Sequence, residues 1–394
     1  MRKVLILPSW YPNKDNFVRG IFFREQALAL KRHRFQVSII PPPYLYHPRV
    51  FIKKFGKLRS GISLEEDNGM PVYQWYGLNW IPRSHKFNLM IILRAGMKMF
   101  GEYILAFGKP DLIHVHSAFP YGILALMIKD QYKVPFVVTE HSSAIATGIL
   151  QDWKKELISK VYFAADELIS VSPYLGNLLK IQYQNVFKDW TYIPNIVDHK
   201  FNLRESSASL KSGPNDVFRF LNIGSLTKNK GQSDLIHAFA RGFKGNTNAE
   251  LRIGGIGPLQ ESLETLISNL NVKDQVTFLG QLTREQVLHE MQHANTIVLS
   301  SHFETFGVVL IEALACGKCV VATTCGGPEC IVNSRNGLLI PVKEPNKLEK
   351  AMKQIYETYS SYSPSEIRKE CLAHFGEKVV IDQISDVYNT VLSR

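Results

Sequence analysis

At 394 residues the chain exceeds what one ordinary core organises; it suits two domains, and two domains imply a cleft. Its 45% hydrophobic and 21% charged residues exclude a disordered or fibrous chain, and no opening stretch joins a charged start, an apolar middle and a small-residue cleavage site, so export is not expected. The net charge of +11 lies wholly in residues 1–200, which hold 26 Lys+Arg against 15 Asp+Glu, whereas the rest holds 20 of each.

That basic half, with concentrations at 31–34 and 49–59, favours anionic partners such as acidic head groups, a lipid-linked diphosphate or nucleic acid, or else forms a solvated face. Apolar, β-branched runs at 4–7, 37–40, 112–115, 136–139 and 168–171 read as buried parallel strands separated by helices. The apolar segment 87–107 is interrupted by Arg94, Lys98 and Glu102. Spaced by four, these charges share one face of a helix packed on a sheet or facing a membrane, and they exclude a bilayer span. A Ser-rich stretch at 202–216 containing Gly213 and Pro214 reads as a linker.

A second series of strands is expected at 218–223, 251–254, 276–279, 296–299, 319–322 and 338–340, and a last helix at 378–392 through Val380, Ile384, Val387 and Val391. The division expected is 1–200, 201–375, and a final segment 376–394 that crosses back onto the first domain. The five cysteines, odd in number and late in the chain, argue for a reducing compartment. They read as buried thiols and not as a metal cluster.

Ligands of open α/β sheets gather at the carboxyl ends of strands. The first strand leads through Trp10 to Gly20 at the start of a helix, where backbone N–H groups can approach an anion. Strand 112–115 delivers His116, with His114 on the same face, and Thr139-Glu140-His141-Ser142 brings a second histidine to an equivalent depth. Each suits acid/base work, a hydrogen bond to a sugar hydroxyl, or a structural role. In the second half Gly224-Ser225-Leu226-Thr227-Lys228-Asn229-Lys230-Gly231 offers backbone donors and mobile positive charge to a diphosphate without the P-loop spacing. Glu304-Thr305-Phe306-Gly307-Val308-Val309-Leu310-Ile311-Glu312 sets one carboxylate in a loop and a second about two turns into a helix beginning near Phe306. Such a pair can bracket a nucleotide sugar or sit solvated.

Together with Gly255-Ile256-Gly257-Pro258, Pro194-Asn195-Ile196-Val197-Asp198 and Gly326-Gly327-Pro328, these motifs resemble, over essentially the whole chain, the family 4 (group 1) glycosyltransferases. The resemblance implies the GT-B fold, two doubly wound Rossmann-like domains facing across a cleft, with the acceptor on the N-terminal domain and the nucleotide-sugar on the C-terminal one. It further implies that Glu312 binds ribose, Glu304 the donor sugar, Phe306, Gly307 and Val308 the phosphates, and Lys230 the diphosphate charge. Ser225, Lys228, Gly255 and Gly257 join the donor side; Gly20 lies at the phosphate end, His116 at the reacting sugar and His141 towards the acceptor. Family members often carry Arg where Ser225 stands, so a two-pronged cation is lost there and Lys228 is the candidate replacement.

The activity implied is metal-independent transfer with retention, from a UDP-sugar or GDP-mannose to a glycan or lipid-linked acceptor of surface polysaccharide. No Asp-x-Asp pair occurs, in keeping with a site that takes no metal or cofactor. The expected setting is cytoplasmic, peripheral on the inner face of an anionic membrane, with no nucleic-acid partner. A GT-B epimerase or phosphorylase and a non-catalytic anion-binding protein are the alternative readings.

Overall fold

The computed structural model describes residues 1–13, 19–49, 58–202 and 217–394. The expected linker therefore lies, beyond Asn202, outside the described residues, as do residues 50–57 of the basic stretch. The chain forms two compact units: Met1–Val171 with Leu175–Pro194 and Val380–Arg394, and Ser172–Tyr174 with Asn195–Val379.

In the first unit the strands are β1 (Lys3–Pro8), β2 (Gln36–Ile39), β3 (Tyr44–Tyr46), β4 (Gly61–Asp67), β5 (Met70–Leu78), β6 (Leu112–His116), β7 (Phe136–Glu140), β8 (Glu167–Ser170) and β9 (Trp190–Tyr192). They lie in the order β3-β5-β2-β1-β6-β7-β8-β9, all parallel, with β4 antiparallel on β5. Central strands read as unbroken apolar runs because both faces are covered: Leu5, Ile6 and Leu7 have no exposed surface. Strand order reverses at β1, which pairs with β2 on one side and β6 on the other, Val4 facing both Val37 and Leu112. The helix Glu377–Leu392 buries Val380, Ile381, Ile384, Tyr388 and Val391. Its Tyr388 is hydrogen-bonded to His114 of β6 and edge-on to Phe35, and Asn389 accepts from Arg2.

The hairpin β4–β5, like β3 and β9, is not among the strands expected from apolar runs: β4 alternates between exposed and half-buried residues, and β5 is buried only at Met70, Val72 and Tyr73. Asn68 (φ 50°) and Gly69 (φ 75°) form its two-residue turn, a left-handed pair suited to the twist of an antiparallel ribbon.

The second unit carries β10 (Phe218–Ile223), β11 (Ala249–Gly254), β12 (Val276–Gly280), β13 (Thr296–Leu299), β14 (Cys319–Thr323) and β15 (Gly337–Ile340). They form one parallel sheet, β12-β11-β10-β13-β14-β15, whose order reverses at β10. A crevice at the carboxyl ends of β10 and β13 is where such a sheet takes its ligand, and the loops carrying Lys230 and Glu304 follow those two strands.

Candidate active site

Beyond β10 the chain turns through Gly224 into a short 3-10 turn, Lys228–Lys230, closed by Gly231 in the left-handed region (φ 63°). A Cβ on Gly231 would stand 2.0 Å from the carbonyl oxygen of Ser300, so this loop and the one after β13 are locked backbone to backbone. That contact brings Lys230 to Glu304: Nζ donates to Oε1 at 2.6 Å, and Ser301 Oγ donates to the same oxygen at 2.7 Å. Backbone pairing holds Glu304 itself, its N–H on the Cys325 carbonyl at 3.0 Å and its carbonyl accepting from Gly327 at 2.9 Å.

Gly307 (φ 109°) precedes the helix Val308–Ala315, and no side chain caps that helix, so its first N–H groups lack intrahelical partners. The helix starts two residues later than the sequence pattern places it, because Gly307 is left-handed and Phe306 turns inward against Phe375. Glu312 thus stands just over one turn in, not two. It is not a solvated glutamate: only 4% of it is exposed, and burial pushes its carboxyl above the usual range against the pull of Arg284. Arg284 Nη2 donates to Glu312 Oε1 at 2.7 Å and to Asp198 Oδ2 at 3.1 Å, its guanidinium 4.7 Å from the centre of the Phe201 ring. One cation therefore holds two buried carboxylates. Arg284 is absent from the expected site, and Asp198 enters it only as the end of a motif; nothing local in the sequence ties position 284 to 312.

Gly255 (φ 132°) and Gly257 have a packing reason of their own: a Cβ on either would meet the backbone of the first loop, Gly224 O at 2.0 Å and Leu226 O at 2.4 Å. Ser225 and Lys228 are exposed.

In the first unit His116 and His141 meet, Nδ1 to Nε2 at 3.2 Å. The helix opened by Gly20 brings Phe23 against both, the ring centroids 4.8 Å away in each case. Gly20 is obligatory here, as a Cβ would fall 2.6 Å from the Trp10 carbonyl oxygen. Burial holds His116 and His141 well below the ordinary histidine range, and His114 at about 3; all three are neutral at physiological pH. His114 is satisfied by Tyr388 and Thr139, whereas Nε2 of His116 is buried without a partner among the described residues. Glu140, fully buried, accepts from the backbone N–H of Ala118, His141 and Ser142 and from the Tyr162 hydroxyl. It fixes the turn that carries His141.

No cysteine is in a disulfide, and Cys316, Cys319, Cys325 and Cys371 are buried. Among the described residues no helix is long and apolar enough to cross a membrane.

Two family models match in succession: Glycosyltransferase Family 4 over residues 20–201 and Glycosyl transferases group 1 over residues 207–370. A Bacillus subtilis glycosyltransferase whose name assigns it provisionally to teichuronic acid biosynthesis is 25% identical over 382 residues, 92% of this chain and 91% of that one. Among solved structures, the fold matches sucrose-phosphate synthase from Thermosynechococcus elongatus (TM-score 0.77, 21% identity, all of both chains). It also matches Anabaena HepE in complex with UDP-glucose (TM-score 0.70, 17% identity, 99% of this chain and 100% of that one). The chain belongs to the group 1, family 4 glycosyltransferases, enzymes of the GT-B fold that transfer hexosyl groups.

Proposed function

We propose that the protein transfers a sugar from a nucleotide diphosphate, a UDP-sugar or GDP-mannose, to a glycan or lipid-linked acceptor in surface polysaccharide synthesis, with retention of anomeric configuration and without a metal. The observation that carries this reading is the Lys230–Glu304 contact of 2.6 Å, which sets a cation and a carboxylate side by side next to a helix with no side-chain cap. In the donor complex Lys230 leaves Glu304 for the diphosphate. Its charge and the N–H groups at Gly307 and Val308 stabilise the leaving phosphate, a contribution of about 10²–10³ in rate for one such donor. Glu304, still held by Ser301, accepts from a sugar hydroxyl, and Glu312 accepts from the ribose with the oxygen that Arg284 leaves open.

The acceptor hydroxyl attacks on the face the diphosphate leaves, its proton passing to a leaving-phosphate oxygen. Neutral His116, with Nε2 unpartnered, suits a hydrogen bond to a hydroxyl of the reacting sugar, and His141 orients it. The Bacillus subtilis relative favours a cell-surface polymer as product. The excess charge of residues 1–200 suits an enzyme working at the inner face of an anionic membrane.

The test is a thermal-shift screen of UDP-, GDP- and ADP-sugars in EDTA. A donor at 100 times its Kd should add roughly 2.7 kcal/mol of stability, and Lys230→Ala should abolish transfer while the protein stays folded. A flat screen, or near-normal turnover in the variant, sinks the donor-site assignment.

A further inference from the structure

The helix His85–Phe107 changes character along its length. Its second part buries Ala95, Gly96, Met99, Phe100 and Tyr103, but no residue before Ala95 is buried, although 87–93 reads Phe-Asn-Leu-Met-Ile-Ile-Leu. A helix seated on a sheet buries a stripe along its whole length; here the apolar stripe runs on past its support. Beside it, the end of β5 and the following turn leave Trp80 70% exposed and Ile81 50% exposed, with Met90 and Met127 also at the surface. Helix, turn and Met127 enclose an apolar groove of about 750 Å³.

Charge around the groove has one sign. Residues 68–101 contain Arg83, Lys86, Arg94 and Lys98 and not one Asp or Glu; the next carboxylate is Glu102. Arg94 and Lys98, four apart, share a helical face, both exposed and both with stems lining the groove. Long basic side chains lying along apolar surface with their heads outward, beside an exposed Trp, suit an interface where hydrocarbon meets anionic head groups.

We infer that this face of the first unit seats the enzyme on an anionic lipid bilayer, with Trp80, Ile81 and Met90 entering the head-group region and Arg83, Arg94 and Lys98 facing its phosphates. The inference deepens the acceptor reading above by naming the surface through which a lipid-borne acceptor is approached. It involves no residue assigned to the donor.

The experiment is flotation of the full chain with vesicles of phosphatidylcholine alone or with 30% phosphatidylglycerol at low salt. It compares the wild type with Trp80→Ser/Met90→Ser and Arg94→Glu/Lys98→Glu, far-UV circular dichroism confirming the fold of each. A basic residue near an anionic leaflet is worth roughly fivefold in partition. Either double variant should therefore lose at least about tenfold of the binding to anionic vesicles, and neutral vesicles should bind little of any form. The thermal shift given by the sugar donor should be the same in all three, which separates a failure here from a failure of the donor assignment. Wild-type protein that ignores anionic vesicles, or variants that float as well as it does, would overturn the inference. So would a wild-type dimer broken by these substitutions without vesicle binding, since the face would then belong to a second copy of the chain.

Discussion

Replacing Arg284 with Met keeps an apolar stem over Phe201 and removes the guanidinium. Two carboxylates then lose their cation: the side chains of Glu312 and Asp198 are only 6% and 3% exposed, and that of Arg284 17%. Water screens this cluster little, so the cost is that of breaking a buried pair from one side, about 3–5 kcal/mol. For a unit the size of Asn195–Val379 each kcal/mol lowers Tm by about 2–4 °C, so the lower figure alone predicts a fall of roughly 6–12 °C at neutral pH. The pH dependence follows from Glu312. Burial already raises its folded pKa above the ordinary value near 4.5 while Arg284 pulls it down, and without Arg284 it rises further. A carboxyl whose folded pKa lies above its unfolded one binds more protons folded than unfolded, so stability falls as pH climbs from the unfolded value through the folded one. The loss caused by Arg284→Met should be small at pH 5, where Glu312 escapes by protonation, and full at pH 8. Scanning calorimetry of both proteins at the two pH values measures it. Equal losses at both, or a fall under about 2 °C at pH 8, would refute the argument.

Gly255→Ala places a Cβ 2.0 Å from Gly224 O at φ 132° and should cost about 3 kcal/mol or more. Gly61→Ala, with φ 86° but open space around it, should cost only about 1–2 kcal/mol; urea midpoints of the pair distinguish clash from backbone conformation alone. Tyr388→Phe leaves a buried nitrogen of His114 unpartnered and should cost about 1–3 kcal/mol; thermal melting reads it. Burial pushes the thiols of Cys316, Cys319 and Cys325 up to about 12, 11 and 12. A disulfide reagent at pH 8 should therefore label at most one cysteine quickly in the native protein and all five in guanidinium.

The buried parallel strands were legible because a strand covered on both faces must be apolar throughout: 218–223 and 296–299 coincide with β10 and β13. The half-exposed hairpin β4–β5 lacks such a run, yet Asp67-Asn68-Gly69-Met70 carried a turn signature that would have revealed it. The motif loops were legible for a similar reason, since glycines at 231, 255 and 307 are demanded locally by close approach or positive φ. The Arg284–Glu312–Asp198 cluster was not, because it joins side chains 28 and 86 positions apart through packing alone. Nor could the sequence tell that Glu140 would be saturated by four donors while His116 kept a bare nitrogen, since both ends of strand look alike in one dimension.

The helix Glu377–Leu392 has a consequence for biosynthesis. The first unit comprises residues from the very beginning of the chain and, from Val380, its last fifteen, and it relies on that return for Tyr388 over His114 and for Arg394 on Glu167. During translation the second unit is complete in sequence before the first, so the earliest-made domain acquires its returning helix only after the second unit has been synthesised. Until then His114 and the surface that helix covers are open to chaperones, and a nonsense codon near residue 380 damages the end of the molecule that was made first.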